Sequence, residues 1–249
     1  MVKDTIDFSF NTPRLLSNPA YYHKLLSCNT FIYLSKITAN RSKHFNTLKL
    51  GSMTTQIPYV KPRRDSSLAD IHFIKGWNSD NGDAIKLLRT YRNSPRCKYK
   101  ERIDALIDTL QGIPHNTGYA KTVQLIDSFI VCLLYQIARK PLGSAPRLAL
   151  MQRRTDHTKS IDRISALVSQ AMAGFYPVNL RVGLSTYKAG LEIEDRPNWI
   201  KTVECQTLIN DYKFSDSIVM LIGEYDDPYA TILEHYSFKP VSTSYDISR

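Results

Sequence analysis

Lys86, Arg89, Arg92, Arg96, Lys98, Lys100 and Arg102 stand in one short stretch that is interrupted by a single acid, Glu101, and accompanied by Tyr91 and Tyr99. Side chains of this type contact phosphate. Each neutralised phosphate releases condensed counterions, so the affinity is salt-dependent and indifferent to base sequence, and tyrosines add stacking surfaces for unpaired bases. On two helices joined at Asn93-Ser94, the cations would point outward while leucine stripes pack inward, giving a basic ridge. Arg153 and Arg154, with Arg139, Lys140, Arg147, Lys159 and Arg163, extend the same bias along the chain. Anionic lipid headgroups attract such a surface by the same physics, at roughly 1 kcal/mol per cation close to the membrane.

A second set of residues could hold a hard metal ion. Glu192 and Asp195 are followed by Glu204-Cys205-Gln206, and strand alternation would put Glu204 and Gln206 on one face, where carboxylate oxygens suit Mg²⁺. The pattern resembles the metal-binding signature of the restriction-endonuclease-like nucleases, with Gln206 in place of the usual lysine. That resemblance implies a metal-dependent nuclease as the alternative function, with Glu192, Asp195, Glu204 and Gln206 as its site. The segment Ser128–Cys132 resembles the buried central helix of ribosome-inactivating RNA N-glycosidases. Their catalytic Glu-Ala-Ala-Arg is replaced here by Gln136-Ile137-Ala138-Arg139, so no active site is carried over. The six dispersed histidines show no metal-ligand spacing, and a second acidic group, Glu224, Asp226 and Asp227, reads as a turn with Gly223 and Pro228 around it. No metal and no small-molecule cofactor is expected.

Charge is divided unevenly along the chain. Residues 1–176 hold 26 Lys+Arg against 12 Asp+Glu, whereas residues 177–249 hold 7 against 11, within a formal net charge of +10. A summed positive field attracts polyanions and acidic membranes. At 43% hydrophobic and 22% charged, the 249 residues have the composition of a folded protein with a substantial core. The four cysteines, Cys28, Cys97, Cys132 and Cys205, form no Cys-x-x-Cys pair and read as reduced thiols, with Cys132 expected as a buried one. The opening residues lack signal-peptide character, and the longest apolar run, Phe129 to Tyr135, is short of a membrane span. These features place the protein in the cytoplasm, the nucleus or a virus particle's interior.

The elements that must position these residues fall into three blocks of a single domain, 1–249. Residues 1–80 are strand-rich and turn-rich, with strands at Phe31–Leu34, around Leu48 and Leu50, and at Ile71–Ile74, and with Lys61, Arg63 and Arg64 in a connecting loop. Residues 81–176 carry helical spacing: Ala84 to Tyr91, Tyr99 to Leu110, Tyr119 to Arg139, and a last helical pair from Leu148 to Ala171. Residues 177–249 switch to period 2, with a hairpin of Val178–Leu184 and Tyr187–Ile193 and strands at Ile200–Ile209, Ser217–Ile222 and Thr231–Phe238. The expected fold is α+β: a strand-containing N-terminal region, a central bundle of about four helices and a C-terminal antiparallel sheet. The expected function is a non-enzymatic basic binding or assembly protein. Its partner would be nucleic acid, RNA ahead of DNA, or an anionic membrane surface. In size, charge and fold class it resembles viral matrix and nucleocapsid-associated proteins, with self-association through an unpaired edge of the C-terminal sheet.

Overall fold

The computed structural model describes residues 6–37, 45–60, 66–151, 177–183, 198–209 and 217–241. They form a mixed α/β structure built on one six-stranded sheet, with a two-stranded hairpin beside it. In chain order the elements are β1 (Ile6–Asn11), α1 (Pro19–Leu26), β2 (Thr30–Tyr33), β3 (Thr47–Leu50), β4 (Met53–Gln56), α2 (Asp83–Arg92), α3 (Lys100–Gln111), α4 (Tyr119–Ile137), β5 (Arg147–Leu150), β6 (Val178–Gly183), β7 (Ile200–Leu208), α5 (Ile218–Glu224), α6 (Pro228–His235) and β8 (Tyr236–Pro240).

The sheet runs β5-β2-β1-β6-β7-β8, and β3 pairs only with β4. Pairings β5–β2, β2–β1, β1–β6 and β6–β7 are parallel, and only β7–β8 is antiparallel. The expected C-terminal antiparallel sheet is thereby corrected. β6 pairs in parallel with the N-terminal β1 on one side and with β7 on the other, and β5 joins the opposite edge, so all three sequence blocks share one sheet. Parallel pairing requires crossover connections, and β1-α1-β2 supplies one at the start of the chain.

Local signals explain most departures from the expected elements. Ser217 caps a helix, its hydroxyl accepting from the Val219 amide at 3.3 Å, and the run Ile218–Ile222 is helical rather than a strand. A short, fully buried apolar run has no period to distinguish the two. Asp227 caps α6 by accepting from the Ala230 amide at 2.9 Å, and Pro228 occupies the first helical position. Thr231–His235 is therefore helical, and the strand begins at Tyr236. Leu148 lies in β5, not in a helix, and Ile71–Ile74 makes only isolated bridges, Tyr59 to Phe73 and His72 to Gly118. The second hairpin arm, Tyr187–Ile193, lies outside the described residues.

Side chains alternate across the sheet. Phe31 and Tyr33 join the large core built with the helices, while Ile32 joins Phe8, Phe10, Val178, Leu180 and Val182 in a second one. Helix α4 packs its Val123, Ile126, Ile130 and Leu134 into the large core. It is the one described helix long and apolar enough to cross a membrane, and half of its most apolar window is buried in the fold. Cys132 is exposed, correcting its expected burial: Val131, Leu134 and Tyr135 take the inward positions of that turn.

Candidate functional site

The basic stretch folds as two helices, α2 and α3, as its spacing implies, but most of its arginines turn to partners within the protein. Arg89 bonds Asp80 at 2.5 Å, and Arg92 grips Asp104 of α3 with two bonds of 2.9 Å. Arg96 pairs with Glu224 of α5 at 3.1 Å. Arg102 donates to the Ile222, Tyr225 and Asp226 carbonyls at the end of α5, and its guanidinium lies 3.7 Å from the Tyr99 ring centroid. Tyr91 is buried, its hydroxyl 3.3 Å from both the Met220 carbonyl and Glu224 Oε1, so it has no face for a base. Lys86, Lys98 and Lys100 are exposed and make no ion pair among the described residues. Arg153, Arg154, Lys159, Arg163, Lys61, Arg63 and Arg64 lie outside the described residues.

Of the candidate metal set, Glu192 and Asp195 also lie outside the described residues. Glu204 is held by Arg181 Nε at 2.9 Å, and Arg181 reaches Asp7 on its other side at 3.3 Å. This chain of ion pairs crosses β7, β6 and β1. Gln206 donates to the Ala20 carbonyl at 2.9 Å and lies 3.1 Å from His23 Nδ1. Burial, and then the charge of Arg181, push the His23 ring down to about 4, so it accepts from Gln206 as a neutral imidazole. Among the described residues no three His, Cys, Asp or Glu side chains could share a metal ion.

A different site emerges where the sheet changes direction. From β1 the chain crosses to β2 and β5 on one side, while β6 and β7 lie on the other. The reversal between β1 and β6 opens a crevice of about 350 Å³ at the carboxyl ends of the parallel strands. Its floor and one wall come from Asn11, Gly183, Gln206, Thr207 and Leu208, at the carboxyl ends of β1, β6 and β7. The facing wall is the loop after β1 and the first turns of α1, with Arg14, Asn18, Ala20 and Lys24. Open parallel sheets place ligands at this point because strand ends and helix N-termini splay apart there.

The loop is fixed from behind. The Ser217 hydroxyl donates to the Leu16 carbonyl at 2.6 Å, and the Ile218 amide donates to the Ser17 carbonyl at 2.8 Å. Leu16 is held at φ 45°, a left-handed conformation that a side chain resists. Asn18 then caps α1, its Oδ1 accepting from the Tyr21 amide at 3.1 Å, with Pro19 in the first turn. Tyr21, on the crevice wall, sends its hydroxyl inward to Asp127.

Lys24 is the unusual member. It is 4% exposed, and its ammonium makes no hydrogen bond or ion pair among the described residues; the Phe10 ring centroid lies 5.2 Å away. Burial pushes it down to about 8.

No protein family, curated protein or solved structure matches this chain. The site therefore rests on geometry. Sequence reasoning named Gln206, for a different chemistry, and missed Asn11, Arg14, Asn18 and Lys24. The signal was present: Ile6, Phe8 and Phe10 alternate as a strand, and Asn18-Pro19 is a helix-start pair.

Proposed function

We propose that this protein binds a small polar organic molecule in the crevice between the carboxyl ends of β1, β6 and β7. The observation that carries this is the reversal of strand order between β1 and β6, with an open, polar volume of about 350 Å³ at that point. The size falls in the range of ligand sites. Counting only strands of the large sheet, the order is that of doubly wound sheets that hold nucleotides; this step is an analogy of architecture, and the crevice residues supply the chemistry. Amide chemical shifts of the ¹⁵N-labelled protein, titrated with a panel of nucleosides, nucleotides, sugars and amino acids, test it. Shifts gathered at Asn11, Ala20, Gly183 and Gln206 are expected for at least one member. A panel that leaves these four amides unmoved contradicts the proposal.

A second, separate contact is a non-specific one with nucleic acid or anionic membrane. It is supported by the net charge of +10 and by the exposed Lys86, Lys98 and Lys100. The paired arginines do not strengthen it, since their charge is largely offset by Asp80, Asp104 and Glu224. A low-salt comparison of RNA, DNA, anionic liposomes and neutral liposomes tests it, and retention of none of the three anionic probes refutes it.

A further inference from the structure

We infer that the group docked in the crevice is a phosphate or phosphoanhydride, held between Lys24, Arg14 and the first turn of α1. This rests on the crevice being the binding site and names the class of its ligand.

Lys24 carries the inference. A buried ammonium is costly unless paired, and Asp7 on β1 and Glu204 on β7 are both engaged by Arg181. Among the described residues no carboxylate lines the crevice, and the only other charged side chain that does is Arg14, which is exposed and has no partner among them. A helical side chain leans toward the helix N-terminus, so Lys24 lies over Ala20, which lines the same crevice. There Pro19 has no N–H, and the Tyr21 amide is taken by the Asn18 side chain and carbonyl. The Ala20 amide remains for an anion at the positive end of the helix.

Two cations and a helix N-terminus, with no opposing acid among the described residues, match a compact dianion better than a neutral molecule or a monocarboxylate. The depressed basicity of Lys24 agrees, because an anion restores the charged form that burial disfavours.

Calorimetry with inorganic pyrophosphate, ADP and adenosine tests the assignment, on the full chain at pH 7 and in low salt. Pyrophosphate and ADP are expected to bind, and adenosine at least tenfold more weakly than ADP. Lys24→Met should lower pyrophosphate affinity at least tenfold, Lys24→Arg should retain most of it, and Lys75→Met, at an exposed position that does not line the crevice, should leave it unchanged. Equal affinity of wild type and Lys24→Met overturns the inference. If Lys24→Met does not fold, Arg14→Gln at its exposed position replaces it: a severalfold loss is expected, and unchanged affinity overturns the assignment. Adenosine binding as tightly as ADP, with shifts at Asn11 and Gly183, sinks the phosphate assignment but leaves the crevice. If no probe moves the crevice amides, the crevice itself falls.

Discussion

The Tyr22 hydroxyl donates to Asp127 Oδ1 at 2.6 Å, joining α1 to α4 inside the core, while Tyr21 and Tyr33 donate to Oδ2 at 2.8 Å each. Asp127 is fully buried, with no cation beside it among the described residues. Desolvation outweighs the three donated bonds and pushes its carboxyl up to about 7. Helix α1, which carries the crevice wall, is thus anchored through one acid.

That anchor makes stability depend on pH. Between the ordinary carboxyl range near 4 and about 7 the folded state holds a proton that the unfolded state has lost, so the contribution is present at low pH and fades as pH rises to about 7. The effect is on the order of a few kcal/mol. Chemical denaturation of the wild type and Asp127→Asn from pH 4.5 to 8 should show the wild type losing stability relative to the variant over this window. Parallel curves would refute the buried titration.

Lys24 predicts a pH dependence of binding that falls in the same direction but at higher pH. An anion that pairs with Lys24 takes up a proton where the amine is partly neutral, so pyrophosphate affinity should fall as pH rises above about 8. The groups sharing its surroundings are Cys28 and Cys205, both pushed upward by burial. Calorimetry from pH 7 to 9.5 should show the fall in the wild type and its absence in Lys24→Met. A flat wild-type profile would show that Lys24 does not meet the anion.

Glu204 sits in an ion pair with Arg181. Glu204→Ala should leave Arg181 with Asp7 alone and cost about 1–3 kcal/mol of stability, measured by denaturant titration. Loss of Mg²⁺-dependent cleavage of nucleic acid in that variant, with the wild type cutting, would instead establish the nuclease alternative.

Gly223 holds α5 against α2. A Cβ there would fall 2.6 Å from the Tyr91 hydroxyl oxygen, and the Gly223 carbonyl accepts from the Lys98 and Tyr99 amides. Because α5 also pins the loop after β1 through Ser217, Gly223→Ala should cost about 1–3 kcal/mol through overpacking. It should also weaken any crevice ligand. A thermal melt unchanged from wild type would contradict this packing.

Much of the fold is legible in the sequence where period and caps agree. Ala84, Leu88 and Tyr91, then Ile103, Leu106, Ile107 and Leu110, then Val123, Ile126 and Ile130 sit at helical spacing, and α2, α3 and α4 bury them. Strand direction is not legible, because Val178–Val182 shows the same alternation in a parallel or an antiparallel sheet. The β1–β6 pairing joins residues far apart in the chain, which no local pattern records. The charge of α2 and α3 was legible and its neutralisation was not. Arg96 meets Glu224 only because α5 docks beside α2. Lys24 gave no signal at all, since a lysine amid Tyr21, Tyr22, Leu25 and Leu26 reads as an exposed position of an amphipathic helix.

A crystal of the full chain grown with inorganic pyrophosphate at low ionic strength tests the central claim most directly. The account predicts density for the anion at the carboxyl ends of β1 and β6, within hydrogen-bond distance of Lys24 Nζ and the Ala20 amide. An empty crevice, with pyrophosphate ordered only on the exposed lysines of α2 and α3, would contradict it.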